Sequence, residues 1–200
     1  MYKRTKGYIL LTMLVLTGLA GRIHTDALRS KERKLLVTQI KSDRNALLDE
    51  IKRLSMKQFY FKINGTSIKK CVQEQINYEN DIWMACKDQL SKQVIVLSDK
   101  HAVTDAEFQH LLLTGGIDFD LHTSHYKIIK TQKEEITALK NLKDEELKFA
   151  RTTTDNLHKY TLQTNCGTLD IYQVLLLTST ITKNTLQQIQ SIRSSQHFPK

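Results

Sequence analysis

The first 21 residues constrain this chain most, because they join a positive head to an apolar run without any charge. Lys3, Arg4 and Lys6 precede an uncharged stretch from Gly7 to Gly21. A positive head followed by a short apolar segment is the signal that export machinery engages or that a membrane retains. The sequence therefore predicts that this segment brings the chain to a membrane, and that the polar remainder folds beyond it.

The fate of this N-terminal segment has two alternatives. The apolar run of residues 7–21 is shorter than the ~20 residues of a membrane-spanning helix, which suits a signal peptide. Small residues allow cleavage after Ala20 or after Ala27. If it is not cleaved, residues 7–21 would hold the chain in the membrane. Residues 1–27 are thus predicted to be a signal peptide or a membrane anchor. In either case the positive head stays in the cytoplasm, and the rest is expected to be extracytoplasmic (periplasmic, secreted or lumenal) or membrane-anchored outside the cytoplasm.

The composition beyond the leader favours helices, since one Pro and seven Gly in 200 residues leave few helix breakers. Residues 28–57 are predicted to form an amphipathic, coiled-coil-like helical arm. Its apolar side chains occupy heptad a and d positions, at Val37, Ile40, Leu47, Ile51 and Leu54. Such a stripe suits a spacer or a partner-binding element, including self-association. Packing of the same helix on the protein's own body is the other interpretation.

Residues 58–195 are predicted to be a mainly helical extracytoplasmic domain with at most a few short strands. Helices are expected over residues 67–90, 104–113, 125–150 and 169–192. A capping box at Thr104 and Glu107 opens the second of these. The alternative is an α+β fold with a small sheet from residues 59–63, 93–97 and 117–121, where apolar residues alternate with polar ones or form a short run. Asn64 and Gly65 predict a tight turn after the first of these segments.

Three cysteines, Cys71, Cys86 and Cys166, occur without any C-x-x-C motif. Cys71 and Cys86 lie 15 residues apart in the helix expected over residues 67–90, which is about 22 Å along an unbroken helix. A disulfide needs Cα atoms within about 7 Å. A break at the weakly helical Asn77–Asp81 patch would permit the bond. We predict the unbroken helix, which excludes a Cys71–Cys86 bond and makes these two cysteines core residues. A bond between Cys86 and Cys166 would instead hold the last helix against this one.

The densest polar cluster lies in residues 118–125 and contains Asp118, Asp120, His122 and His125. Carboxylates and imidazoles are metal ligands, so these four are the candidate metal-binding residues, although a polar loop between two elements explains them equally well. No H-E-x-x-H, Walker A or G-x-S-x-G motif is present. The sequence therefore gives no catalytic residue and no cofactor, and it does not favour an enzyme.

The net charge of +9 includes Lys3, Arg4 and Lys6 of the positive head, and most other basic residues alternate with acidic ones, as in residues 31–34 and 143–148. Nucleic-acid binding is not favoured, because it usually needs a basic stripe with interleaved aromatics. The plan of leader, helical arm and mixed body is similar to that of several envelope-assembly and secretion components. The sequence therefore predicts an exported or membrane-anchored helical scaffold that binds other proteins at a cell envelope. The alternatives are an extracytoplasmic metal-binding domain or enzyme centred on residues 118–125, and binding of anionic lipid or nucleic acid through diffuse positive charge.

Overall fold

The computed structural model describes residues 28–92, 102–114, 119, 129 and 131–200, and six helices make up 71 % of it. The helices are α1 Ser30–Lys52, α2 Met56–Tyr60, α3 Ile68–Lys92, α4 Asp105–Thr114, α5 Gln132–Thr152 and α6 Ile171–Arg193. Two antiparallel hairpins accompany them, β1 Lys62–Ile63 with β2 Thr66–Ser67, and β3 Thr161–Thr164 with β4 Gly167–Asp170. The predicted mainly helical fold class is confirmed.

The four long helices form a bundle in which α1 and α3 each pack against both α5 and α6. Arg33 near the start of α1 donates hydrogen bonds to the carbonyls of Ala150 (2.9 Å) and Thr153 (2.7 Å) at the end of α5, so these helices are antiparallel. Arg193 at the end of α6 pairs with Glu50 at the end of α1, so those two are parallel. One end of the bundle therefore carries the β1–β2 hairpin and the other carries the β3–β4 hairpin.

The apolar stripe of α1 is buried inside this bundle. Ile40, Leu47 and Leu54 are 2 %, 1 % and 8 % exposed, respectively. Ile40 belongs to an apolar cluster that contains Trp83 and extends to the β3–β4 hairpin, whereas Leu47 and Leu54 belong to a second cluster near the β1–β2 hairpin. The stripe thus packs on the protein's own body, which leaves these side chains enclosed by α5 and α6.

The strand expected over residues 59–63 is largely wrong, because Met56–Tyr60 is a helix. Its N-cap decides this. The Ser55 hydroxyl accepts from the Gln58 amide (3.3 Å), and the Gln58 side chain accepts from the Ser55 amide (2.9 Å). This reciprocal cap outweighs the alternating pattern. The predicted Asn64–Gly65 turn is confirmed, since both residues have positive φ (49° and 77°) as a type I′ hairpin requires.

Helix α3 is unbroken from Ile68 to Lys92, as predicted. Cys71 and Cys86 are buried free thiols on it, and Cys166 is exposed and also free. The Asn77–Asp81 patch stays helical, because Glu79 and Asp81 are buried there in the bundle. Tertiary packing therefore overrides the weak helix propensity of this patch.

Helix α5 begins at Gln132, seven residues later than the predicted start at residue 125. The reason is a capping box, in which Thr131 accepts from the Glu134 amide (3.2 Å) and Glu134 accepts from the Thr131 amide (3.0 Å). Helix α4 begins after its predicted cap, where the Glu107 carboxylate accepts from the Thr104 amide (2.8 Å).

The last helix also begins later than residue 169, because residues 161–170 form the β3–β4 hairpin. Residues 165 and 166 join its two strands, and Asp170 then caps α6 by accepting from the Gln173 amide (2.7 Å). Of the residues assigned to the alternative sheet, 93–97 and 117–121 lie outside the described residues except for Phe119, which forms an isolated bridge with Thr164. Residues 1–27 also lie outside them. Among the helices of the described residues, none has the length and apolar character needed to cross a membrane.

Candidate functional site

A groove with a cavity volume of about 720 Å³ separates parts of α3 and α6. Residues 70–78 of α3 line one wall and residues 177–188 of α6 line the other, while Leu111 of α4 and Phe119 border it. This volume lies within the usual range of ligand pockets. The lined stretches measure about 12 Å and about 16 Å along the helix axes. The groove can therefore take an elongated ligand.

The lining of the groove carries neutral polar groups rather than net charge. Its two charged residues, Lys70 and Glu74, form an ion pair with each other (3.8 Å). The other polar groups are amides and hydroxyls, at Gln73, Gln75, Asn77, Thr180, Asn184, Thr185 and Gln188. Amide side chains both donate and accept hydrogen bonds. Apolar surface comes from Tyr78, Leu111, Phe119, Leu177 and Ile181.

Gln75 lines this groove and has a buried hydrogen-bond acceptor without a partner in the described part of the chain. Its side chain is buried, and its Nε2 donates to the Thr182 hydroxyl (2.9 Å), which itself donates to the Thr178 carbonyl (3.3 Å). This chain of donors fixes the amide orientation and leaves Oε1 without a donor in the described part of the chain. A buried acceptor without a partner costs about 1–3 kcal/mol. Recovering that cost would require a ligand N–H group to reach Oε1, which is closed to solvent in this structure.

A layer of buried charge crosses the bundle interior beneath the groove. The Lys143 ammonium of α5 donates to Glu79 of α3 and to Glu146 of its own helix (3.3 Å), and all three residues are at most 1 % exposed. Asp43 of α1 lies close enough to interact electrostatically with Lys143 and accepts from Gln39 (3.3 Å). Gln75 connects this layer to the groove, because its Nε2 also lies 3.5 Å from Glu79 Oε2.

Burial and the charge of Lys143 determine which side chains of this layer carry a proton. Burial would lower the pKa of Lys143, but the charges of Glu146 and Glu79 raise it above its ordinary value. Burial raises the pKa of Glu146 to about 8 and that of Asp43 to about 6, with Lys143 opposing both shifts. At neutral pH the layer therefore holds a charged Lys143 beside Glu79 while Glu146 keeps a proton. The ammonium fills the position between carboxylates that a metal ion would need.

A second cluster surrounds His158 at the β3–β4 end. Its Nδ1 lies 2.8 Å from Asp170, and its Nε2 lies 3.6 Å from Glu32, which Arg29 also contacts (2.6 Å). Burial would lower the pKa of His158, but the hydrogen bond with Asp170 and the negative charge of that carboxylate raise it. Both ring nitrogens thus face carboxylates, so His158 links Asp170, the N-cap of α6, to Glu32 in the first turn of α1. This arrangement is not that of a general base beside a nucleophile.

The candidate metal ligands Asp118, Asp120, His122 and His125 lie outside the described residues. Within the ranges that the structure describes, no group of three His, Cys, Asp or Glu side chains could hold a metal ion. The burial of Lys143 was not predicted, although helical periodicity indicates it. Lys143 lies four residues from both Leu139 and Leu147, so helical periodicity places it on the apolar face of α5.

Comparison of this chain with known proteins found no matching family model, no matching curated protein and no matching solved structure.

Proposed function

We propose that this chain is a non-catalytic helical scaffold, exported or held at a membrane by residues 1–27, that binds an extended segment of a partner protein in the groove between α3 and α6. The observation that carries this proposal is the acceptor of Gln75, which is buried next to a neutral, amide-lined groove and has no donor in the described part of the chain. The leader supports the location.

Peptide backbone suits this lining better than a charged ligand does. A peptide presents alternating N–H and C=O groups, and the side-chain amides of the groove can pair with both. The walls extend about 12–16 Å, which accommodates about four or five residues of extended chain at about 3.3 Å per residue. Because Lys70 and Glu74 neutralise each other (3.8 Å), the bound segment is expected to be uncharged. Tyr78 and Ile181 would contact its apolar side chains.

The heptad stripe of α1 contributes to this scaffold in another way. Its residues Ile40 and Leu47 are enclosed by the chain's own helices, so they stabilise the bundle in which α3 packs against α6 beside the groove. Partner binding is therefore assigned to the groove. We propose no catalytic role for His158, since it is held between Asp170 and Glu32 and neither of these contacts is with a nucleophile.

A peptide library displayed on phage tests the proposal with the full chain as bait. Selected peptides are then measured by fluorescence polarisation against two variants, Gln188→Trp and Gln187→Trp. Both positions are exposed neighbours on α6, but only Gln188 lines the groove. A groove ligand should lose at least about tenfold in affinity with Gln188→Trp, corresponding to about 1.4 kcal/mol, and little with Gln187→Trp.

Further readouts separate this binding from simple charge attraction. Enriched peptides should be neutral, and their affinity should change little with salt, because no net charge lines the groove. Gln75→Leu should weaken binding by removing the buried acceptor. Failure to enrich any peptide, or equal binding to the Gln188→Trp and Gln187→Trp variants, would contradict the proposal.

A further inference from the structure

Residues 51–73 contain six basic residues and no acidic residue, unlike the mixed charge elsewhere in the chain. The six are Lys52, Arg53, Lys57, Lys62, Lys69 and Lys70. All are exposed except Lys69, which is half-buried. We refer to the surface formed by residues 51–73 as the basic end.

Folding gathers this segment at one end of the bundle. The end of α1, all of α2, the β1–β2 hairpin and the start of α3 meet there. The start of α5 joins them, because Gln132 donates to the carbonyls of Ile51 (3.2 Å) and Leu54 (3.1 Å). The C-terminal tail also packs on this end, where Phe198 contacts Phe61 edge-on (5.6 Å between ring centroids). The basic residues are thus held on a built surface.

The acidic residues that flank the basic end in sequence, and Glu134 at the start of α5, mostly form ion pairs or hydrogen bonds. Glu50 pairs with Arg193, and Glu74 pairs with Lys70 (3.8 Å). Glu134 caps α5 through its contact with Thr131 (3.0 Å). Asp49, which directly precedes Glu50 in the sequence, is exposed.

Four cations of the basic end therefore face solvent with little neutralisation. Within the described part of the chain, no ion pair involves Lys52, Arg53, Lys57 or Lys62. Such a cluster attracts an anionic surface.

The apolar groups of the basic end distinguish between anionic partners. Met56 is 57 % exposed, and it lies between Arg53 and Lys57 in the sequence. The aromatic rings are already engaged, since Tyr60 packs edge-on against the buried Phe59 (5.6 Å between centroids). They are poorly available for stacking on nucleic-acid bases. An exposed flexible apolar side chain among lysines suits the boundary of a lipid bilayer.

The choice of basic residue agrees with a lipid surface. Five of the six cations are lysines, which act as hydrated point charges, whereas arginine is the residue suited to paired hydrogen bonds with a specific phosphate or carboxylate. We propose that the basic end docks on an anionic lipid surface, with Lys52, Arg53 and Lys57 near the headgroups and Met56 at the boundary with the acyl chains. Residues 1–27 join the opposite end of α1, about 33 Å away. The chain therefore enters α1 at the end opposite the docking surface.

Co-sedimentation of the full chain with vesicles tests this proposal. Vesicles of phosphatidylcholine alone report any binding through the leader, and vesicles that also contain phosphatidylglycerol report the added anionic attraction. The test variant is Lys52→Gln/Arg53→Gln/Lys57→Gln. The matched control is Lys31→Gln/Lys34→Gln/Lys41→Gln, which removes the same charge from exposed positions nearer the other end of α1.

The wild-type chain should bind anionic vesicles more tightly than neutral ones, and this preference should fall as salt rises to about 0.5 M. The test variant should lose about 100-fold of its affinity for anionic vesicles, whereas the control should change it less than about threefold. Met56→Gln should weaken binding to anionic vesicles without altering its salt dependence. Circular dichroism of each variant checks that these exposed substitutions leave the fold intact.

Three results would overturn the proposal. One is equal binding of the wild-type chain to neutral and anionic vesicles. Another is an equal loss in the test and control variants, which would mean that net charge rather than the basic end is recognised. The third is tighter binding to a random duplex DNA than to anionic vesicles at the same salt, which would assign the surface to nucleic acid.

Discussion

Replacing Lys143 by Met should destabilise the bundle strongly, because it removes the cation from a buried acidic layer. Lys143 is 1 % exposed, and its ammonium contacts Glu79 and Glu146. Methionine preserves much of the side-chain volume, so loss of packing contributes little. The expected effect is therefore mainly electrostatic.

The magnitude follows from the geometry of the layer. Because Glu146 keeps its proton at neutral pH, the ion pair that Lys143→Met removes is the one with Glu79. An ion pair at a separation of about 4 Å is worth about 4 kcal/mol at an effective dielectric constant of about 20. Desolvation offsets much of this in the intact layer, but removing one partner leaves buried carboxylates without a cation. We expect a loss of about 3–5 kcal/mol in unfolding free energy, or about 6–20 °C in Tm.

Urea unfolding provides the measurement, followed by fluorescence of Trp83, which is the only tryptophan and is buried. The matched control is Lys140→Met, which removes an exposed lysine one turn earlier that pairs with Asp144 at the surface (3.9 Å) and should cost less than about 1 kcal/mol. The Lys143→Met defect should shrink between pH 8 and pH 5 as the carboxylates take up protons. Adding Glu79→Gln should recover part of the loss. A defect no larger than that of Lys140→Met would refute this explanation.

The remaining predictions concern pH and location. Burial raises the pKa of Asp43 to about 6, of Glu135 to about 7 and of Glu146 to about 8, so the folded state holds protons that the unfolded state releases. Stability should therefore fall as the pH rises from about 5 to about 8, with a smaller slope in Glu146→Gln, as measured by urea unfolding across that range; a stability that rises over this interval would exclude the protonated layer. In the leader, Leu14→Arg/Leu16→Arg should abolish export or anchoring, because charge is costly within an inserted segment. Fractionation of cells with N-terminal sequencing checks this, and an unchanged location would remove the basis for the predicted compartment.

Local sequence rules predicted the elements whose determinants lie within a few residues. The Thr104–Glu107 box starts α4, and Asn64–Gly65 forms the expected turn. The same rules failed where a local signal was overlooked, as with the Thr131–Glu134 box that starts α5. The strand expected over residues 59–63 was largely wrong, because the alternation of apolar and polar residues there is a weaker signal than the helix N-cap at Ser55.

The two surfaces were recoverable from the sequence to different degrees. The cluster of basic residues from 51 to 73 is visible in the sequence, but the mixed charges on either side of it made it easy to overlook. The groove was not recoverable, because its walls are separated by about a hundred residues and face each other only after α3 packs on α6. The candidate ligands Asp118 and His122 belong to a stretch outside the described residues, so that hypothesis stays a prediction.

The sequence by itself determined that this chain is mainly helical, because periodicity and capping are local properties. The continuity of α3, and with it the separation of Cys71 and Cys86, also depended on tertiary packing around the weakly helical Asn77–Asp81 patch. Only the tertiary structure decided which charged residues became buried partners, such as Lys143 and Glu79, which are 64 residues apart. The reason is physical, since a helix pattern shows which face turns inward but not which groups another helix will bring against it.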